Sequence, residues 1–312
     1  MGKELPSGML VRTLFLFLSR RPRLRRWVET SPWARRLTSR FVAGLELEDA
    51  IAVCRRLNQM GYLVTLDCLG ENVTSETEVR AARDAYLRAL DRIEELGLVS
   101  TVSLKLSQFG LDVSESLCRR HVEAVVRRAA TAGTFVEVDM ESLPYVDRTL
   151  ALVVGMHEKY QNVRGVIQAY LRRSRRDLEM LCDRGIPVRL CKGAYREPAA
   201  VAWQSRRQIR ESFLELARIL LDRGVYPGFA THDEFLIRHI VHYARQQGIP
   251  SDRYEFQMLY GVRRDLERRF LADGRRLRLY VPYGTAWFPY FMRRLGEHPS
   301  NLLLLLRNLY RR

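Results

Sequence analysis

Near the end of this 312-residue chain stands the segment Tyr290-Phe-Met-Arg293-Arg294-Leu-Gly-Glu297. Positions 290, 293, 294 and 297 follow i, i+3, i+4, i+7 spacing, so on a helix they share one face. A helix docked on a domain normally makes that face apolar. Here it carries two guanidinium groups, a carboxylate and a phenol. Adjacent Arg side chains can hold a carboxylate through paired, charge-assisted hydrogen bonds. A Glu one turn later can accept from an amine. The pattern suits a clamp for an amino acid.

Further polar groups stand at the ends of short β-branched runs. They are Asp67, Ser103-Leu-Lys105-Leu-Ser107, Val138-Asp139-Met140-Glu141, Gln168, Arg189-Leu-Cys191-Lys192-Gly193-Ala194-Tyr195, Thr231-His232, Gln257-Met-Leu259, and Tyr280 with Tyr283. A Lys inside a barrel strand needs a partner or a ligand. Asp139 is the obvious partner of Lys105, so a structural ion pair and a ligand site both fit. Gln168 and Gln257 fit a cofactor contact and the satisfaction of buried backbone groups equally well. Cys191 reads as a small strand filler more readily than as a reactive thiol. His232, His239 and His242 make a poor metal set, because the last two lie along the helix that follows the first. No metal is expected.

The elements that must position these groups alternate along the chain. The β-branched runs are 62–66, 99–106, 135–140, 163–169, 187–191, 226–230, 254–259 and 277–281. Helix-length segments at 75–96, 114–132, 144–160, 171–184, 198–222, 233–247 and 261–273 separate them, and a last helix spans about 285–310. Eight strand–helix units of this size predict an α/β fold, a (β/α)8 TIM-type barrel over 49–312, with chemistry at the C-terminal strand ends. The last helix is then expected over the barrel mouth. An open doubly wound sheet is the alternative, but the chain has no G-x-G-x-x-G turn. Residues 1–48 read as a separate basic arm, helical at about 8–20 and 31–44 and broken at Pro22 and Pro32.

These motifs, in this order, resemble the proline dehydrogenase family, flavin enzymes on a distorted (β/α)8 barrel. The likeness covers essentially the whole chain. It rests on Ser103-Leu-Lys-Leu-Ser, Arg189-Leu-Cys-Lys-Gly-Ala-Tyr, Ala230-Thr-His, Gln257-Met-Leu-Tyr-Gly and Tyr290-x-x-Arg-Arg-x-x-Glu. The basic opening, with Ser31-Pro-Trp-Ala-Arg-Arg, looks like the stand-alone bacterial form. The resemblance implies oxidation of L-proline to Δ1-pyrroline-5-carboxylate, with FAD as cofactor and a membrane quinone as acceptor. It implies Asp139 and Arg189 as catalytic residues, with Arg189 touching the middle of the isoalloxazine. Arg293 and Arg294 would bind the proline carboxylate. Lys105 would line the pocket, paired with Asp139 and Glu297. Tyr195, Leu259, Tyr280 and Tyr290 would surround the pyrrolidine ring. Met140, Gln168, Lys192, Gly193, Ala194, Thr231, His232 and Gln257 would join Arg189 in holding FAD. Arg196 departs from the aromatic residue usual in the bifunctional members. Hydroxyproline or another cyclic amino acid is the alternative substrate.

Arg293, Arg294, Arg189 and Lys105 are expected to form a positive field that disfavours the protonated amine and stabilises charge on reduced flavin. The net charge of +16 is carried almost wholly by Arg, since Lys occurs only at 3, 105, 159 and 192. A genome-wide bias toward Arg codons is the bland reading and attraction to an anionic surface, nucleic acid or lipid, the functional one; half of the excess sits in residues 1–40. That arm, with Trp27 and Trp33, suits either an anionic lipid surface or packing against the barrel base. A non-catalytic adaptor for nucleic acid or membrane is the rival class. It would need aromatics and cations on one exposed face, whereas here they line up at strand ends, so no nucleic-acid partner is expected. An FMN- or phosphate-binding barrel would need a Gly-rich loop, and Gly261 and Gly284 are isolated. Five scattered Cys without a C-x-x-C pair point to reduced thiols and a cytoplasmic protein. The membrane quinone that the resemblance implies would place it peripherally at the inner membrane face. A separate pyrroline-5-carboxylate dehydrogenase is a further partner the family suggests.

Overall fold

The computed structural model describes residues 39–297, with backbone only from Arg293 onward. Eight parallel strands close into a barrel in chain order, each paired with the next and the last with the first. They are β1 (Leu63–Cys68), β2 (Ser100–Leu104), β3 (Val136–Val138), β4 (Val163–Gln168), β5 (Val188–Cys191), β6 (Gly228–Ala230), β7 (Glu255–Leu259) and β8 (Leu277–Tyr283). The helices are α1 (Leu47–Gln59), α2 (Glu76–Glu95), α3 (Glu115–Thr131), α4 (Val146–Tyr160), α5 (Ser174–Asp183), α6 (Arg206–Arg223), α7 (Glu234–Gln246), α8 (Arg264–Ala272) and α9 (Trp287–Glu297).

Strict alternation along the strands builds the barrel. Val64, Leu66, Val102, Leu104, Val136, Val138, Leu190, Phe229, Phe256, Leu277 and Leu279 are buried in the main core with the helices. The residues between them point inward and are largely polar. Thr65 donates to Glu137 at 2.8 Å, and Arg278 Nη1 bonds the Val64 carbonyl at 2.8 Å. Helix starts are set by side chains: Ser75 and Glu78 form a capping box at α2, and Asp233 accepts from the Phe235 N–H at α7.

The barrel base is ionic. Glu255 accepts from Arg164 Nη1 at 2.7 Å and from Arg278 Nε at 2.7 Å, all three side chains being buried. Burial alone would raise the Glu255 pKa, but Arg278 and Arg164 outweigh it and hold the carboxyl well below its ordinary value. Its stabilisation is therefore complete above the usual carboxylate range and is lost only as pH falls toward the depressed folded value. Glu255→Gln keeps the shape but leaves two buried guanidinium groups short of a counter-charge. Denaturant unfolding should show a loss of about 3–5 kcal/mol.

Three expectations shift. The 48/49 division falls inside the first turn of α1, which the sequence reading left out although Ala50, Ile51, Cys54 and Leu57 bury one face. Residues 42–44 of the expected 31–44 helix lie outside any helix, because the Ala43 N–H bonds the Pro282 carbonyl and the Gly284 N–H bonds that of Gly44. Strands two and three end earlier than expected, leaving Lys105 and Asp139 just past them. The remainder of the arm and the end of the last helix lie outside the described residues.

Helix α9 starts at the mouth. Trp287, Phe288, Tyr290, Phe291 and Met292 form a second cluster with Phe41, Val42 and Val262, and Leu69 and Leu259 pack against it from the ends of β1 and β7. Gly261 lets the arm's root cross this face. It has φ +77°, and a Cβ there would stand 1.7 Å from the Arg40 carbonyl oxygen.

Candidate active site

Four strands bring one ionic cluster to the barrel mouth. Asp139, just past β3, accepts from Arg189 Nη1 at 2.6 Å, Tyr280 at 2.8 Å, Ser103 at 2.9 Å and Lys105 Nζ at 3.2 Å. Its position is fixed by its own N–H, which bonds the Leu104 carbonyl at 2.8 Å and carries the β2–β3 ladder one residue further. Burial would raise its pKa, but Lys105 and Arg189 outweigh this and lower it. Lys105 is mostly buried, yet Asp67 and Asp139 raise its pKa above the ordinary lysine value. It remains a cation at any working pH.

Arg189 rises from β5 within a cage. Nε donates to Gln257 at 2.6 Å, Nη1 to Asp139, and Nη2 pairs with Glu137 at 2.5 Å. Its guanidinium carbon lies 5.2 Å from the centre of the Tyr280 ring. Gln257 in turn donates to Glu255 at 2.8 Å, so its amide is used inside the barrel to fix Arg189. Glu137 was not singled out from the sequence. Its signal was a carboxylate between two Val on a strand with no edge, the same anomaly that marked Lys105.

The described charges revise the expected positive field. Lys105 and Arg189 face three carboxylates, those of Asp67, Glu137 and Asp139. This part of the site has no cationic excess. The side chains of Arg293, Arg294 and Glu297 lie outside the described residues, although the α9 backbone carries all three positions.

The remaining predicted residues ring the mouth. Gln168 ends β4 and donates to the Glu141 carbonyl at 2.9 Å. Met140 is buried in the main core, and Ala194 and Tyr195 are exposed in the β5–α6 loop. Lys192 Nζ bonds Asp233 at 2.6 Å, and Arg210 Nε bonds the same carboxylate at 2.8 Å. Thr231 accepts from the Asp233 N–H at 3.1 Å, and His232 Nε2 accepts from the Leu259 N–H at 3.1 Å. Tyr290 is buried in the second cluster beside the start of the clamp. At Gly193, named above among the residues that would hold FAD, the nearest steric demand is internal. With φ +108°, a Cβ there would lie 2.0 Å from the Tyr170 ring. Burial pushes the Cys191 thiol up to about 12, which leaves it inert as a nucleophile. Among the described residues, no group of three His, Cys, Asp or Glu could hold a metal ion.

Comparison with known proteins adds the family. The family model described as proline dehydrogenase matches residues 50–303. Proline dehydrogenase 1 of Bacillus subtilis (strain 168) is 37% identical over 304 residues, covering 97% of this chain and 100% of that protein. The proline dehydrogenase of Deinococcus radiodurans is 34% identical over 305 residues, covering 96% and 98%. In fold, the chain is similar to proline utilization A of Bdellovibrio bacteriovorus, with a TM-score of 0.81 and 24% identity. That match covers 98% of this chain but 38% of the larger one. A matching family model and near full-length relatives above 30% identity place this chain in the proline dehydrogenase family.

Proposed function

We propose that this chain oxidises L-proline to Δ1-pyrroline-5-carboxylate with FAD and passes the electrons to a membrane quinone. The observation that carries this reading is the Lys105–Asp139–Arg189–Tyr280 cluster at the mouth, at the end from which α9 extends with its Arg pair. The donor set fits the cofactor. Lys192 and Arg210 stand partly exposed at the N-terminus of α7, beside Thr231, and cations at a helix start suit a pyrophosphate. Met140, Gln168, Lys192, Gly193, Ala194, Thr231 and His232 would hold FAD, and Gln257 would act by fixing Arg189. When bound, FAD supplies acceptance of the hydride.

The chain's own side chains bind, orient and exclude water. Arg293 and Arg294 would fix the proline carboxylate, with Glu297 near the amine. Tyr195, Leu259, Tyr280 and Tyr290 would wall the ring, which disfavours an added hydroxyl only weakly. Loss of hydride from carbon is helped by the nitrogen lone pair, so the amine must lose a proton first. A nearby carboxylate can receive that proton, and the cations beside it favour the neutral amine. Among the described residues no helix is long and apolar enough to cross a membrane. In this reading the basic arm would bring the enzyme to the membrane quinone. Steady-state assay of the holoenzyme should show proline-dependent reduction of a soluble quinone, with hydroxyproline a poorer substrate. Absence of proline turnover with any quinone would reject the reading.

A further inference from the structure

Asp67 is the next-to-last residue of β1, at the mouth, and has no role in the reading above. Its carboxyl is 2% exposed. Three carboxylates share Lys105 and Arg189 here, Glu137 has Arg164 at 3.7 Å besides, and the other two are better served than Asp67. Asp139 has four donors within 3.2 Å, and Glu137 has Arg189 at 2.5 Å and Thr65 at 2.8 Å. Asp67 stands 3.6 Å from Lys105 and 3.5 Å from the Tyr86 hydroxyl. The Tyr86 proton goes elsewhere, to the Ser103 carbonyl at 2.7 Å. The Tyr280 hydroxyl also faces Asp67, but its proton is committed to Asp139 at 2.8 Å. Asp67 is thus the least stabilised carboxylate of the three, and a proton on it would find an acceptor in the phenol oxygen of Tyr280.

We propose that Asp67 is the proton store of the site, taking the proton that the bound amine must lose, through Lys105. The inference rests on the proline-oxidising reading. In the step, the amine N–H bond breaks and its proton passes to Lys105 Nζ, while one ammonium proton passes to Asp67 Oδ2. Lys105 keeps its charge, Asp67 becomes a carboxylic acid, and no electrons move. Asp67 is a positioning residue in this scheme, since it acts through Lys105.

The surroundings agree. Burial raises the Asp67 pKa, Lys105 and the Tyr280 hydroxyl oppose this, and Asp139 and Glu71, in the loop after β1, add to the rise. Tyr86 on α2, Cys68 and Tyr283 also face it, and burial lifts all three above their ordinary values, so they stay neutral. Asp67 is therefore the group among these that burial biases toward taking up a proton.

The test is the single-turnover rate at which proline bleaches the oxidised holoenzyme, followed against pH. The wild type should show an acid limb, with the rate falling as pH drops and Asp67 fills with a proton. Asp67→Asn should lose that limb, with the plateau rate reduced about 10²-fold or more. Asp67→Glu should keep a limb at a shifted pH. A variant that is slower at every pH with the limb unmoved would overturn the proposal. If Asp67→Asn yields no flavin-loaded protein, the Asp67→Glu limb decides, and an unshifted limb would overturn it. Failure of the underlying reading looks different: the wild type itself would not bleach.

Discussion

Asp139→Ala is expected to lower kcat/KM for proline by about 10²- to 10³-fold with the fold retained. Asp139 receives four donors within 3.2 Å, from Ser103, Lys105, Arg189 and Tyr280. Removing it leaves Lys105 with Asp67 and Arg189 with Glu137 as their remaining carboxylates among the described residues. Breaking a buried pair by deleting one partner costs about 3–5 kcal/mol, spread here between stability and the placement of both cations. The unfolding midpoint and the flavin content separate the two shares. If kcat/KM stays within a few-fold of wild type, Asp139 is not the hub of the site.

The second large effect belongs to the clamp. Arg294→Met should raise KM for proline by about 30- to 1000-fold, the loss of a charge-assisted contact contributing roughly 2–4 kcal/mol in a closed site. The maximal rate should fall less, because the proposed contact would hold a carboxylate that does not react. Titrating the flavin band with a non-reactive cyclic carboxylate gives the affinity directly. Unchanged affinity would remove Arg294 from the carboxylate site.

These two residues were readable for different reasons. Arg294 stood out because a helix face carried the wrong polarity for docking. Asp139 and Lys105 stood out because a barrel has no strand edge where a charge can reach water. The same logic applied one layer lower, to Glu137, Arg164, Glu255 and Arg278, but the strand ends drew the attention. The charged base therefore emerged only when registry placed Glu137 beside Arg164 and Gly228 beside Glu255. The net field also escaped the sequence. Cations are easily counted along a chain, whereas their pairing with Asp67 and Glu137 depends on barrel closure. The end of the expected 31–44 helix differs for a related reason. Residues 42–44 take their conformation from β8 and α9, far away in sequence, so a local helical pattern could not decide it.

The central claim is that the mouth of this barrel oxidises proline with a bound flavin. Anaerobic mixing of the purified protein with L-proline tests it most directly. The account predicts a yellow protein whose visible band is bleached by proline, with one cyclic imine formed per flavin. A colourless protein that releases no flavin on denaturation, or a flavin band unaltered by proline, would contradict it.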